Sequence, residues 1–215
     1  MKLGIVADEI ARDFASAVRV GVSLGLRRYE IRNLAAGRAP MCGESAMLEV
    51  ERIAREEGVE ITALSPGLFK NTENAAAFRR EMDQVYPRAV EWAHRWKLPG
   101  LIVRAGGVGL KINYDPGNVA WLENRDPLDE FAVVAPWIAN VHIKDLRTLV
   151  RGAGFPEWVP AGEGMIDYAA HFRALREIGY EGPVSLEPHM DSSAEATRRC
   201  KEAVERCSMY RETAP

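Results

Sequence analysis

What most constrains the fold is an alternation along the whole chain: short apolar runs of strand length, each next to an amphipathic stretch of helical period. Leu3 to Asp8 is the first run, and the stretch after it places Phe14, Val18 and Gly21 on one helical face. Tyr29-Glu30-Ile31-Arg32 is the second, followed by a helix from near Met47 that closes on Gly58. Glu60 to Ser65 comes next, before a long helix with Phe78, Met82, Val85, Tyr86, Ala89 and Ala93 at 3.6 spacing. Leu101 to Arg104, Gly109 to Asp115, Val141 to Asp145 and Val184 to Glu187 bring the strands to seven. Parallel neighbours need a crossover, so repeated strand–helix units mean a parallel sheet, closed as a barrel or open and doubly wound. An open nucleotide-binding sheet wants glycines in its first strand–helix turn. Here that turn reads Ala7-Asp8-Glu9-Ile10-Ala11. Gly106-Gly107-Val108-Gly109 precedes a strand rather than a helix, which does not make a phosphate cradle. The expected fold is α/β, a TIM-type (β/α) barrel in one domain over residues 1–215.

One joint breaks the rhythm. Between Ala105 and Gly109 two strand patterns meet across a few glycines, too few residues for the crossover that parallel strands require. Either the pair is antiparallel, or something that normally sits between them is lacking near 105–109, as a gap or a deletion. An edge left open by that loss invites a homodimer to cover it.

Lys plus Arg is 28 and Asp plus Glu 31, a net charge of −3 that gives no drive toward nucleic acid or an anionic membrane. The longest apolar stretch, Phe131 to Val141, is interrupted by Pro136 and falls short of a bilayer span. Met1 to Val6 runs straight into acidic Asp8 and Glu9, unlike a secretory signal. Cys42, Cys200 and Cys207 cannot all pair; the last two, seven apart in a helical pattern, read as small apolar groups in a reduced cytoplasm.

Polar residues at the C-terminal ends of barrel strands face a common mouth. Asp115 closes one strand, His142 and Lys144 share a face of the next, and Glu187 ends the last with Ser185 and His189 on its face. Each has an ordinary reading alone: Asp115 as a helix cap, His142 as a core histidine, Glu187 in an ion pair with an arginine. Together they form a mixed oxygen and nitrogen set suited to Mn²⁺, Mg²⁺, Co²⁺ or Zn²⁺. Glu187 without metal would then be an uncompensated carboxylate, so Glu187→Gln should cost the metal-free protein little.

Asn113-Tyr114-Asp115-Pro116-Gly117-Asn118, Asn140-Val141-His142-Ile143-Lys144-Asp145, Ala161 to Tyr168 and Gly179 to His189 agree in order and spacing with one family. By these segments the C-terminal half resembles the xylose isomerase-like barrel superfamily of sugar phosphate isomerases and epimerases. The resemblance implies metal ligands at Asp115, His142 and Glu187. The family's fourth ligand, a Glu ending the fifth strand within a Leu-Glu-Asn-His run, has no counterpart in that position; the resemblance implies that about one helix–strand–helix unit around the fifth strand is lacking at the glycine joint. Leu122-Glu123-Asn124-Arg125 is similar but follows Asp115 instead of preceding it.

What the resemblance implies is an isomerase or epimerase of a sugar or small hydroxy-keto compound, or a related dehydratase. A divalent metal would stabilise the enediolate, and Glu187 would serve as both ligand and acid/base. Glu30, Asn118, Lys144 and His189 are the candidate substrate contacts. A two-base epimerisation would lack its second Glu, whereas one-base isomerisation or dehydration would not. A non-catalytic barrel remnant is the rival from another class, favoured by the missing strand. An apurinic-site endonuclease would need a histidine cluster, and the chain has only His94, His142, His171 and His189.

Overall fold

The computed structural model describes residues 1–68, 74–102, 111–123, 126–129, 131–147 and 156–207. The first half carries β1 (Lys2–Val6), α1 (Phe14–Ser23), β2 (Arg28–Ile31), β3 (Asn33–Leu34), β4 (Gly37–Arg38) and α2 (Glu44–Glu57). It continues with β5 (Glu60–Leu64), α3 (Ala75–Arg80) and α4 (Tyr86–Arg95). The second half holds β6 (Ile112–Tyr114), α5 (Pro116–Glu123), α6 (Phe131–Val134), β7 (Ile138–Ile143) and β8 (Asp145–Leu146). It ends with β9 (Trp158–Val159), α7 (Tyr168–Glu177), β10 (Pro183–Leu186) and α8 (Ala194–Arg206). The chain divides into two compact units, Val6–Lys111 and Met1–Ile5 with Ile112–Pro215.

In the Val6–Lys111 unit, β2 and β5 pair in parallel from Arg28↔Glu60 to Ile31↔Leu64. Asp13 caps α1 by accepting the Ser16 amide at 2.9 Å, and the helix buries Phe14, Ala17, Val18 and Gly21, the face its period predicts. Gly21 is needed there: a Cβ would stand 2.0 Å from the Tyr29 hydroxyl. Leu101 bridges to Leu64 in parallel; Val103 and Arg104, and with them the joint from Ala105 to Gly109, lie outside the described residues.

The long helix departs from its sequence pattern. A π turn at Glu81–Val85 joins α3 to α4 and adds a residue to the repeat, so a stripe read at 3.6 spacing goes out of phase across it. Ala89, Trp92 and Ala93 are buried, whereas Phe78, Met82 and Tyr86 remain exposed. At the end of β2, Arg32 binds both carboxylate oxygens of Asp8 (3.0 and 3.1 Å) and Glu9 (2.5 Å), all three side chains being nearly buried.

The other unit is built on a parallel sheet in the order β1, β10, β7, β6. Val184↔Val141 and Ser185↔His142 set the register of its central pair, and Tyr114↔Val141 that of β6 with β7. Leu3, Ile5, Val141, Ile143, Val184 and Leu186 form the core with Tyr168, Phe172 and Leu175 of α7. The expected strand from Val141 to Asp145 ends sooner than its pattern: β7 stops at Ile143, and β8 pairs antiparallel with β9. The cause is Asp145, whose buried carboxylate accepts the amides of Leu146 (2.8 Å), Gly162 (2.9 Å), Gly164 (3.0 Å) and Ile166 (3.2 Å). Those donors lie off the sheet and draw the chain away from it. Cys200 is buried on α8, Cys207 forms its C-cap, and no cysteine is in a disulfide. No described helix is long and apolar enough to cross a membrane.

Candidate metal centre

Three ends of parallel strands supply the site. Asp115 follows β6 directly, and its Oδ1 accepts the Asn118 amide at 3.0 Å while Oδ2 accepts Asn118 Nδ2 at 2.6 Å. The aspartate therefore caps α5 and faces the site at once, so its helix-cap reading and its ligand reading are compatible. His142 lies in β7, its Nδ1 3.0 Å from Glu187 Oε2 and 3.8 Å from Asp115 Oδ2. Glu187 follows β10. The ligand atoms of these three buried residues lie within 4.8 Å of one another. Two carboxylates and an imidazole are a donor set that fits a divalent first-row ion or Mg²⁺.

Lys144 enters the same centre by the alternation that puts it on the His142 face. Its Nζ donates to Glu187 Oε2 at 2.5 Å and lies 2.8 Å from Asp115 Oδ2. The ion pair foreseen for Glu187 thus forms with a lysine instead of an arginine. Burial alone would raise the Asp115 carboxyl, but the Lys144 and His142 charges take it below its ordinary value. The same competition, won by His142 and Lys144, holds Glu187 well below the carboxylate range. Burial would lower Lys144, and its two carboxylate partners raise it instead.

A supporting layer fixes these groups. Asn140 Nδ2 donates to Asn113 Oδ1 at 2.8 Å, and Asn113 Nδ2 lies 3.0 Å from His142 Nδ1, so neighbouring strands hold the imidazole ring. The Tyr168 hydroxyl donates to the Lys144 carbonyl at 2.6 Å and accepts its amide at 3.1 Å. His189, with a left-handed φ of +53°, meets the edge of Trp158 at 5.2 Å between ring centroids, and Trp158 in turn meets Trp121. Sequence reasoning assigned no role to Asn113, Asn140, Tyr168, Trp121 or Trp158. Only the two asparagines carried a signal, lying inside the quoted motifs at strand positions that rarely bury polar groups.

Of the four candidate substrate contacts, Lys144 and His189 stand at this centre, and the backbone amide and Nδ2 of Asn118 donate to Asp115. Glu30 is fully buried in β2 of the Val6–Lys111 unit. The side chain of Glu123, with Asn124 and Arg125, lies outside the described residues.

Carboxylate, histidine and carboxylate thus meet at the ends of parallel strands in an α/β fold, a group that could hold a metal ion. Residues 100–211, just over half of the chain, match the family described as xylose isomerase-like TIM barrel, and the chain belongs to that family. The TIM-type barrel expected from the alternation is its fold. No curated protein sequence matches the chain. Among solved structures, the probable 3-DHS dehydratase of petrobactin synthesis from Bacillus anthracis is similar at 16% identity and a TM-score of 0.71, covering 95% of this chain and 99% of that one. A sugar phosphate isomerase/epimerase from Parabacteroides distasonis is 12% identical, with a TM-score of 0.63 over 94% of this chain and 96% of that one. A D-allulose 3-epimerase from Methylomonas sp. is 14% identical, with a TM-score of 0.63 over 96% and 98%. At such identities the likeness is one of fold.

Proposed function

We propose that this protein is a divalent-metal-dependent isomerase or epimerase that moves a proton at the carbon next to a carbonyl, in a sugar or a small hydroxy-keto compound. The observation that carries this reading is the convergence of buried Asp115, His142 and Glu187 in a chain of the xylose isomerase-like family. An ion held by these residues would supply Lewis-acid polarisation of the carbonyl. Glu187 has one oxygen turned to Lys144 and His142, while its Oε1 lies 3.7 Å from His189 Nε2. That second oxygen is the acid/base of the proton transfer. Asn118 orients Asp115, and the Trp158 edge orients His189 beside the substrate. One carboxylate base suffices for isomerisation or for dehydration, the reaction in the name of the Bacillus anthracis neighbour.

The test is solvent exchange. Protein loaded with Mn²⁺ is incubated in D₂O with a panel of aldoses, ketoses and hydroxy-keto acids, and loss of the proton next to the carbonyl is followed by NMR. At least one compound should exchange, and Glu187→Gln should slow it by about 10²-fold or more. Protein that binds Mn²⁺ but exchanges none of the panel, or a Glu187→Gln variant that exchanges at the parent rate, rejects the reading.

A further inference from the structure

The two carboxylate oxygens nearest His142 already share a cation. Lys144 Nζ lies 2.8 Å from Asp115 Oδ2 and 2.5 Å from Glu187 Oε2, and His142 Nδ1 stands 3.8 and 3.0 Å from the same two atoms. An ion coordinating either oxygen at about 2.0–2.3 Å would stand no more than about 5 Å from the ammonium, among side chains that are all nearly buried. Both positive charges would draw on the same oxygens. We propose that Lys144 Nζ is the resident cation of this centre, and that a divalent ion enters by displacing it, so that metal loading is a cation exchange.

The surroundings are built for such a swap. Tyr168 bonds both the amide and the carbonyl of Lys144, which leaves the backbone fixed and only the four-carbon stem to move. Gly117 makes room for that stem: a Cβ there would come within 2.5 Å of Lys144 Cγ. On the outward side Nζ already lies 3.4 Å from His189 Nε2, and the His189 side chain is 33% exposed, so the displaced ammonium has a route toward water. In the absence of metal the lysine keeps two buried carboxylates from repelling each other, and in its presence it sets how tightly the ion is held.

The exchange presupposes that Asp115, His142 and Glu187 hold a metal, and a calorimetric titration with MnCl₂ separates the two ideas. Wild type, Lys144→Met and Asp115→Asn are compared. Removing the ammonium should tighten Mn²⁺ binding by about tenfold or more, whereas Asp115→Asn should weaken it. Wild type that binds Mn²⁺ with Lys144→Met binding equally or more weakly overturns the exchange and leaves the metal site standing. Failure of both wild type and Lys144→Met to bind Mn²⁺ overturns the metal site itself, and the exchange with it. Should Lys144→Met not fold, amine acetylation of the wild type read by peptide mass spectrometry decides. Saturating Mn²⁺ should raise labelling of Lys144 several-fold, and unchanged labelling under bound Mn²⁺ overturns the exchange.

Discussion

Replacing Asp145 by asparagine swaps one of two carboxylate oxygens for an amide nitrogen that cannot accept. Oδ1 takes the amides of Leu146 and Ile166, and Oδ2 those of Gly162 and Gly164, so either orientation of the new side chain forfeits two bonds. Hydrogen bonds to a charged acceptor contribute about 1.5–3 kcal/mol each, which puts the gross loss at about 3–6 kcal/mol. Burial pushes the Asp145 carboxyl above its ordinary pKa, so a neutral side chain recovers part of that loss. A net destabilisation of about 2–4 kcal/mol remains, and urea unfolding at pH 7 should show it as a midpoint lowered by about 1 M or more. Hydrogen exchange at Gly162, Gly164 and Ile166 should accelerate together, because one carboxylate holds all three. Trp158 should loosen as well, since it pairs with Leu146 across β8 and β9 and carries the edge that meets His189. A loss below about 1 kcal/mol, with those amides still protected, would refute the assignment of the loop to Asp145.

Three further outcomes are expected. Burial lowers His171 to about 4 from the 6.5 of an exposed imidazole. The unfolded chain therefore takes up its proton first on acidification, and stability present above about pH 6.5 should fall by up to about 3 kcal/mol as the pH drops through 4. His171→Phe should flatten that part of the stability–pH curve, and an unchanged slope counts against the buried neutral histidine. Glu187→Gln should lower metal-free stability by about 1–3 kcal/mol in urea, reversing the expectation of an uncompensated carboxylate, because Lys144 and His142 both pair with Glu187 in the structure. Arg32→Ala removes the guanidinium shared by the buried carboxylates of Asp8 and Glu9 and should cost about 3–5 kcal/mol in urea unfolding; a loss below about 1 kcal/mol would show that this pair does not hold the unit together.

Much of this molecule was legible in its residues because the relevant signals are local. Period-2 and period-3.6 patterns placed β1, β2, β5, β7 and β10 and the buried face of α1. The rule that strand ends face one mouth picked out Asp115, His142 and Glu187 as a set, since a side chain's direction along a strand depends on parity alone. Where local order fails, so does the reading. The π turn at Glu81–Val85 displaced the stripe of the long helix, and no residue there announces it.

The role of Lys144 was decided only in three dimensions. Alternation shows that it shares a face with His142, yet what its ammonium meets depends on Glu187, 43 positions away, and on the register that sets β7 beside β10. Asp145 is the same case: along the chain it only closes the strand pattern from Val141, and its role appears once the amides of residues 162, 164 and 166 fold over it. Sequence by itself determined which groups stand at the strand ends, because backbone geometry repeats from residue to residue. Tertiary structure alone decided which of them pair, because pairing between buried charges is settled by the few ångströms between side chains far apart in the chain.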